Sequence, residues 1–164
     1  MFILYFGGQK SGKSKLAEKK TLELSKDKKP YYIATYNNSY NDIEMASRIH
    51  KHKKQRKNKF KSIEEQTNLP KVIKNRNTYL IDCISMWLLN NLELDEKKLI
   101  KQLKKLSRKD ANIVFVLNDV NSGVIPMDKV SRKFVDMTGV IGQKLALICD
   151  EVYEVKLGIS KRIK

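Results

Sequence analysis

The feature that most constrains the fold of this chain is a glycine-rich segment placed directly after a short apolar run. The apolar run, Phe2–Phe6, reads FILYF, and residues 7–14 read GGQKSGKS. The next segment, Ser14–Ser25, is rich in residues that favour a helix. A buried strand that passes through a glycine-rich turn into a helix is the opening unit of many α/β nucleotide-binding folds.

The glycine-rich segment fills the phosphate-loop pattern G-x-x-x-x-G-K-[ST] at every fixed position. These positions are Gly7, Gly12, Lys13 and Ser14. Glycines let consecutive backbone N–H groups turn towards a phosphate chain, and the lysine reaches the β- and γ-phosphates. The serine hydroxyl is a ligand for Mg²⁺, and the N-terminus of the helix favours an anion. The segment therefore predicts a polyphosphate site with Lys13 in a catalytic role.

Further apolar runs alternate with helical patterns along the rest of the chain. The predicted strands after the first are Pro30–Thr35, Tyr79–Cys83, Asn112–Leu117 and, as the last, Val152–Leu157. The predicted helices are Asp42–Phe60, Ile84–Leu92, Glu96–Arg108 and Met127–Ile148, and a polar loop is expected at Tyr36–Asn41. Strands that are apolar throughout indicate a parallel sheet covered on both faces. The prediction is an α/β fold, a mainly parallel sheet with helices on both faces, as one domain over residues 1–164.

Polar residues follow several of these strands, at the sheet edge where α/β proteins bind ligands. Asp82 ends the run TYLID and could hold Mg²⁺ opposite Ser14, or could simply cap the next helix. Asn118 and Asp119 open a loop that continues through Gly123 and Pro126. These positions are expected to border the nucleotide.

The predicted helix at residues 42–60 carries a charged face that includes an imidazole. Its members recur every four residues: Glu44, Arg48, His52 and Arg56. Such a face is usually a solvated one with ion pairs. The cations around His52, however, favour its neutral form, which is a capable nucleophile. His50, two residues earlier, points elsewhere on a helix.

Four other polar residues leave two interpretations open. Glu64 and Glu65 could hydrogen-bond a ribose or a guanine edge, or could cap the following helix. Arg132 and Asp136, four residues apart, could form a structural pair or could face the substrate.

Composition limits the remaining function classes. The formal net charge is +16, but the lysines are spread over almost every segment, and the densest run, residues 50–61, has one aromatic residue. Single-strand nucleic-acid binders present stacking aromatic residues on such surfaces, so we expect no nucleic-acid partner. The two cysteines, Cys83 and Cys149, are expected to be buried free thiols. No apolar run has the length of a membrane span, and the cytoplasm is the expected location.

Taken in order, the motifs resemble those of one enzyme family. The segments are GGQKSGKS, YIAT (32–35), EMASRI with His52 and Arg56 beyond it, DCISMWLLN (82–90), NDVNSGVIP (118–126), RKFVDMTG (132–139) and CDEV (149–152). Together they resemble the bifunctional adenosylcobinamide kinase / adenosylcobinamide-phosphate guanylyltransferases. The resemblance runs essentially from end to end.

The resemblance implies a RecA-like phosphate-loop fold, a homotrimer and two successive reactions. ATP or GTP phosphorylates adenosylcobinamide, and a histidine then carries GMP from GTP to adenosylcobinamide phosphate. The family pattern R-I-x-x-H-[KR] falls on His52, with Lys53 after it. Mg²⁺ is expected on Ser14 and Asp82. The residues expected to bind the nucleotide are Gly7, Gly8, Gln9, Lys10, Ser11, Gly12, Lys13, Ser14, Ala34, Thr35, Tyr36, Lys53, Arg56, Glu64 and Asp82.

The chain also departs from the family pattern. The loop that usually reads N-E-V-G-x-G-I-V-P has Asp119 and Asn121, the late helix has Gly142 where asparagine is usual, and Lys10 replaces an arginine. Because of these differences, one alternative is that the chain catalyses only one of the two reactions. An NTP-binding regulatory or nucleic-acid-associated module is the alternative from a different class.

Overall fold

The computed structural model describes residues 1–36 and 58–164 of the chain. Within these ranges the strands are β1 (Phe2–Gly7), β2 (Tyr31–Ala34), β3 (Lys61–Glu64), β4 (Thr78–Asp82), β5 (Asn112–Asn118), β6 (Glu151–Lys156) and β7 (Ile159–Arg162). The helices are α1 (Lys13–Ser25), α2 (Leu69–Val72), α3 (Ile84–Asn90), α4 (Glu96–Leu106) and α5 (Lys129–Ile148).

The described strands form one sheet in the order β3-β2-β4-β5-β1-β6-β7. All neighbouring pairs are parallel except β6 and β7, which pair antiparallel. β1 lies between β5 and β6, and its first four residues are buried. Such continuous apolar strands are stable only where both faces of the sheet are covered.

Side chains of each strand alternate between two apolar cores because successive residues point to opposite faces. On one face Leu4, Ile81 and Phe115 pack with residues of α3, α4 and α5. On the other face Ile3, Leu80 and Val114 pack with Ala17 of α1. The predicted α/β sheet with helices on both faces is therefore confirmed.

Helix α1 lies close to the sheet because its inward face is made of small or short side chains. Ala17, Thr21 and Ser25 are buried at four-residue spacing, and the Thr21 hydroxyl donates to the Ala17 carbonyl. In α5 the apolar residues Met137, Ile141 and Leu145, three or four positions apart, lie in the core. Val130, in the first turn of α5, is exposed.

The structure corrects three assignments. The strand at β6 is not the last, because β7 returns beside it as an edge strand. β3 was not predicted, since KSIE alternates weakly, and the helix expected after Glu65 is the single turn α2. The predicted helix at 42–60 lies outside the described residues up to 57. Its end is wrong, because 58–59 form a turn and Phe60 packs against the sheet ahead of β3.

No helix in the described ranges is both long enough and apolar enough to cross a membrane.

Candidate active site

The phosphate loop connects the carboxyl end of β1 to the first turn of α1. Lys10 and Gly12 both have positive φ, of 57° and 96°, and the Ser11 N–H donates to the Gly8 carbonyl at 3.2 Å. Gly12 occupies the N-cap position of α1, where no side chain accepts a hydrogen bond from the helix. The first N–H groups of α1 are thus left for an anion at the positive end of the helix.

The two glycines of the pattern are required by close contacts as well as by backbone angles. A Cβ on Gly7 would clash with the carbonyl oxygen of Val155, and a Cβ on Gly12 would lie 3.1 Å from the Cα of Gly158. Both neighbours belong to the β6–β7 hairpin. The loop is therefore shaped by a part of the chain about 150 residues away.

The side chain of Lys13 folds back over this loop. It is 6% exposed, and its Nζ donates to the Gly8 carbonyl at 3.1 Å. Burial lowers the pKa of Lys13 below the ordinary value for lysine, while the nearby Cys83 and Asp82 act in the opposite direction. A buried cation beside a glycine-rich loop is suited to neutralise a phosphate chain.

The Asp82 carboxylate lies across the loop from Lys13, at the carboxyl end of β4. Its Oδ1 accepts from the Ser14 hydroxyl at 3.4 Å, and its Oδ2 accepts from the Tyr32 hydroxyl at 3.2 Å. The N-cap position of α3 is Cys83, with no side-chain cap bond, so the alternative of Asp82 as the cap is wrong. The structure brings Ser14 and Asp82 together, as the sequence predicted.

A second polar network supports the end of β4. The Thr35 hydroxyl donates to the Cys83 carbonyl at 2.8 Å and accepts from the Cys83 N–H at 3.1 Å. Asn90 of α3 donates to the carbonyls of Thr35 and Gln66 at 2.7 and 3.1 Å. The peptide bond between Asp82 and Cys83 is cis. The hydrogen bonds of Thr35 and Asn90 thus join the ends of β2, β3 and β4 beside the phosphate loop.

Two further loop features bear on ligand binding. The buried Ser11 hydroxyl has no hydrogen-bond partner among the described residues. An unpaired buried hydroxyl is costly unless it gains a hydrogen-bond partner, so Ser11 is suited to bind a phosphate oxygen.

The expected nucleotide residues after β2 lie beside the end of β4. Ala34 pairs with Asp82 across β2 and β4, and Tyr36 beyond it is half-buried.

The two glutamates at the end of β3 differ in their contacts. Glu65 Oε1 accepts from the N–H groups of Thr67 and Asn68 at 3.0 and 2.8 Å. Both N–H groups precede the first residue of α2, and its N-cap makes no side-chain cap bond, so Glu65 stabilises the turn before α2 and the capping alternative is wrong for it. Burial would raise the pKa of Glu65, but these bonds outweigh burial and lower it. Glu64 ends β3 at the carboxyl edge, in register with Ala34.

The loop between β5 and α5 contains two of the departures from the family pattern, Asp119 and Asn121. The Asp119 N–H donates to the Gly7 carbonyl at 2.9 Å, and its carboxylate accepts from Asn121 and Ser122. Asn121 in turn donates to the Val135 carbonyl of α5 at 3.0 Å. Asp119 and Asn121 therefore hold this loop on α5.

Two residues of α5 also contribute to the placement of this region. A Cβ on Gly142 would lie 3.4 Å from a methyl carbon of Leu117 on β5, in ordinary contact. Arg132 donates to the carbonyls of Pro126 and Met127. The Arg132 guanidinium thus holds the loop against the start of α5. The sequence had suggested a pair with Asp136 or contact with the substrate, and neither interpretation included this role.

The cysteines are free thiols, as predicted; Cys149 is buried as expected, whereas Cys83 is half-buried. Burial raises the pKa of both Cys83 and Cys149 to about 12, with Asp82 and Asp150 adding to the effect.

Several candidate residues lie outside the described residues. They are Glu44, Arg48, His50, His52, Lys53 and Arg56. The proposed histidine chemistry is therefore a hypothesis from the sequence.

Two solvent-filled grooves lie away from this region. One, of about 580 Å³, runs between α4 and α5, and the other, of about 360 Å³, lies beside Pro70 and Arg108. Neither is lined by a described residue of the predicted site. We therefore place the candidate site at the phosphate loop, where the polar side chains converge.

Comparisons with known proteins identify the family of this chain. The sequence model of the family described as cobinamide kinase / cobinamide phosphate guanyltransferase (CobU) matches residues 3–163. The chain is 31% identical to the bifunctional adenosylcobalamin biosynthesis protein CobP of Pseudomonas aeruginosa, covering 98% of this chain and 96% of that protein. It is also 31% identical to the bifunctional adenosylcobalamin biosynthesis protein CobU of Escherichia coli K12, over the full length of both proteins.

Among solved structures, the flagellar accessory protein FlaH from Methanocaldococcus jannaschii matches with a TM-score of 0.51 and 15% identity. The match covers 98% of this chain and 75% of that one. At this identity the likeness concerns the fold alone.

Proposed function

The chain belongs to the cobinamide kinase / cobinamide phosphate guanyltransferase family, and on that premise we propose that it catalyses both transfers of that family in cobalamin biosynthesis. First the γ-phosphate of ATP or GTP passes to the hydroxyl of adenosylcobinamide. GMP from GTP then passes to adenosylcobinamide phosphate, with release of pyrophosphate. The observation that carries the proposal is the convergence of Lys13, Ser14 and Asp82 on one glycine-rich loop.

The phosphate loop is the proposed site of the kinase step. Transfer of a phosphoryl group requires positioning and charge neutralisation more than covalent chemistry. The free N–H groups of α1 and the Lys13 ammonium supply positive charge, and the Ser11 hydroxyl can donate to a phosphate oxygen. In this reaction the acceptor hydroxyl oxygen forms the new bond to phosphorus while the bond to the departing nucleoside diphosphate breaks.

The donors at Ser14 and Asp82 fit a magnesium ion. Both are oxygen ligands, and Mg²⁺ is commonly bound through one or two protein oxygens together with phosphates and water. Mg²⁺ held by these residues would supply charge neutralisation on the phosphate chain. The Tyr32 hydroxyl, 3.2 Å from Asp82 Oδ2, orients the carboxylate for that role.

His52 is the proposed nucleophile of the second transfer. One imidazole nitrogen attacks the α-phosphorus of GTP, the bond to the β-phosphate oxygen breaks, and pyrophosphate leaves. A phosphate oxygen of adenosylcobinamide phosphate then attacks the same phosphorus and the P–N bond breaks, which gives adenosylcobinamide-GDP and restores His52. Covalent catalysis thus divides one difficult displacement into two. Lys53, Arg56 and Glu64 are proposed to contact the nucleotide.

The remaining family properties are also proposals. We expect a homotrimer of single-domain chains in the cytoplasm, supported by the resemblance. Light scattering during size exclusion tests the trimer, and a monomeric mass at all concentrations would contradict it.

The experiment that tests the function is covalent labelling. The protein is incubated with [α-³²P]GTP and Mg²⁺, denatured, and tested for label that survives base but is lost in acid, as a phosphoramidate is. The wild type is expected to carry the label and His52→Ala to lack it.

The matched control is His50→Ala, which removes an imidazole two residues away. It is expected to label as the wild type does. Equal labelling of His52→Ala and wild type would disprove the role of His52. If the wild type shows kinase activity but carries no label, the protein is a kinase without guanylyltransferase activity.

A further inference from the structure

Thr35 directly follows β2, at the sheet edge that carries the candidate site. The residue is 0% exposed, and its hydroxyl donates to the Cys83 carbonyl at 2.8 Å while it accepts from the Cys83 N–H at 3.1 Å. A hydroxyl has a single hydrogen to donate. Both the surface and the hydroxyl hydrogen of Thr35 are therefore used within the protein, whereas the sequence had suggested that this residue contacts the nucleotide.

The hydrogen bonds of Thr35 extend the pairing of β2 with β4 by one residue. The backbone register of the two strands ends at Ala34 and Asp82, and α3 begins two residues later, at Ile84. At Cys83 the Thr35 side chain takes the place of the β2 backbone and bonds both the N–H and the C=O group. Because Cys83 follows Asp82 in the chain, these bonds fix the backbone beside the Asp82 carboxylate.

Strand β2 also holds the side chain of Asp82. The Tyr32 hydroxyl donates to Asp82 Oδ2 at 3.2 Å, and the other carboxylate oxygen, Oδ1, accepts from Ser14 at 3.4 Å. Tyr32 and Thr35 thus act on two different parts of the same region, the carboxylate and the backbone next to it. Outer hydrogen bonds of this kind orient the residues that bind a metal.

Thr35 is itself held in place by Asn90 of α3. The Asn90 amide donates to the Thr35 carbonyl at 2.7 Å and to the carbonyl of Gln66, beyond β3, at 3.1 Å. Since α3 starts directly after Cys83, the connections form a closed ring from Thr35 to Cys83, along α3 to Asn90 and back to Thr35. Groups fixed in this way are positioned before a ligand binds.

We propose that Thr35 is a positioning residue of the metal site, which acts through Cys83 to keep the Asp82 carboxylate opposite Ser14. This inference rests on the proposed function, in which Ser14 and Asp82 bind Mg²⁺, and adds to it the group that holds Asp82 in place. Affinity for a nucleotide with bound Mg²⁺ depends on the position of Asp82, whereas affinity for the metal-free nucleotide does not.

The test is the substitution Thr35→Val, which keeps the branched shape of the side chain and removes the hydroxyl. Binding of the non-hydrolysable GTP analogue GMPPNP is measured by calorimetry, once with Mg²⁺ and once with EDTA. With Mg²⁺ the Kd is expected to rise about five- to tenfold, because Asp82 loses its fixed position. With EDTA the Kd is expected to stay unchanged. Thr35→Ser, which keeps the hydroxyl, is expected to bind as the wild type does under both conditions.

Thr21→Val is the matched control for the loss of a buried hydroxyl. Thr21 is also 0% exposed, and its hydroxyl donates to the Ala17 carbonyl within α1 at 2.7 Å. Both Thr→Val variants should lower the melting temperature by about 2–6 °C, since each removes a buried hydrogen bond. Only Thr35→Val should change the ratio of the two dissociation constants, and a merely structural role of Thr35 would not move that ratio.

Asn90→Ala is the second variant, which keeps the inference testable if Thr35→Val does not fold. Asn90 is only half-buried, so its truncation leaves a smaller defect in the core. Loss of the bond to the Thr35 carbonyl is expected to raise the Kd for GMPPNP with Mg²⁺ about two- to threefold. The Kd with EDTA should again stay unchanged.

The outcomes separate this inference from the proposed function. Unchanged Mg²⁺-dependent binding in Thr35→Val or, if that variant does not fold, in Asn90→Ala would overturn the inference and leave the proposed function standing. Equal weakening with Mg²⁺ and with EDTA would also overturn it, because Thr35 would then act on the nucleotide itself. A wild type that binds GMPPNP equally well under both conditions would overturn the metal site and the inference with it. Mg²⁺-dependent binding that follows the expected pattern, in a protein that transfers neither group, would support the inference and overturn the proposed function.

Discussion

The two sides of the phosphate loop are built in different ways. On the β4 side, charged and hydroxyl side chains meet: Lys13, Ser14, Tyr32 and Asp82 lie within hydrogen-bonding reach of the loop or of one another. On the β6–β7 side, the contacts are made by backbone atoms, with Val155 O against Gly7 and the Gly158 N–H on Ser11.

The β4 side therefore supplies the chemical groups of the site, and the β6–β7 side sets the shape of the loop. Side chains on the β4 side can neutralise charge and bind a metal, so their loss should affect turnover. Backbone contacts on the β6–β7 side hold the loop in its curve, so their disturbance should affect stability and binding. Variants of each side therefore have different expected signatures.

The largest effect is expected from Lys13→Ala on the β4 side. Removal of a preorganised positive group from a buried phosphate site should lower kcat for both reactions by about 10²–10³-fold. Initial rates of phosphorylation and of guanylyl transfer measure this. Lys19→Ala, an exposed lysine of the same helix, is the control. Full kinase activity in Lys13→Ala would mean that the phosphates bind elsewhere.

Asp82→Asn should have the next largest effect. The substitution keeps the size of the side chain but removes the charge that favours Mg²⁺, so kcat should fall by roughly 10–100-fold and the Mg²⁺ requirement should rise. Titration of activity with Mg²⁺ measures both changes. Asp119→Asn is the matched control, because Asp119 lies at the same sheet edge and its carboxylate accepts from Asn121 and Ser122 of its own loop. A normal Mg²⁺ requirement in Asp82→Asn would contradict the metal role.

Tyr32→Phe should produce a smaller change on the same side. Loss of the hydroxyl that donates to Asp82 should cost about 0.5–1.5 kcal/mol, or roughly two- to tenfold in Mg²⁺ affinity. The comparison with Tyr31→Phe is informative, because Tyr31 precedes it on β2 and stacks on Tyr79 away from Asp82. Equal Mg²⁺ affinity in wild type and Tyr32→Phe would show that Asp82 needs no such support.

The smallest effect on turnover is expected from Gly158→Ala on the hairpin side. Open space surrounds the added methyl group, but φ of 79° is unfavourable for alanine by about 1 kcal/mol, which should lower the melting temperature by roughly 2–4 °C. Nucleotide binding should weaken about two- to threefold, with kcat nearly unchanged. Gly123→Ala, also surrounded by open space and without a positive φ, is the control. A large loss of kcat without loss of stability would break the distinction between the two sides.

The same distinction explains what sequence reasoning could find. Gly7, Lys13, Ser14 and Asp82 follow from local rules, because a motif and the end of an apolar strand are both visible in a few consecutive residues. The contacts of the hairpin with the loop join residues about 150 positions apart. β7 was missed for a similar reason, since ISKR is a short charged edge strand whose only signal is the Leu-Gly turn before it.

Sequence alone determined the α/β class, the place of the phosphate loop and the pairing of Ser14 with Asp82, because periodicity and motif spacing are local properties. Tertiary contacts determined that Glu65 stabilises the turn before α2, that Arg132 fastens the β5–α5 loop, and that the hairpin turn lies against the phosphate loop. These outcomes depend on which strands become neighbours, and that choice is made by burial of apolar surface across the whole sheet.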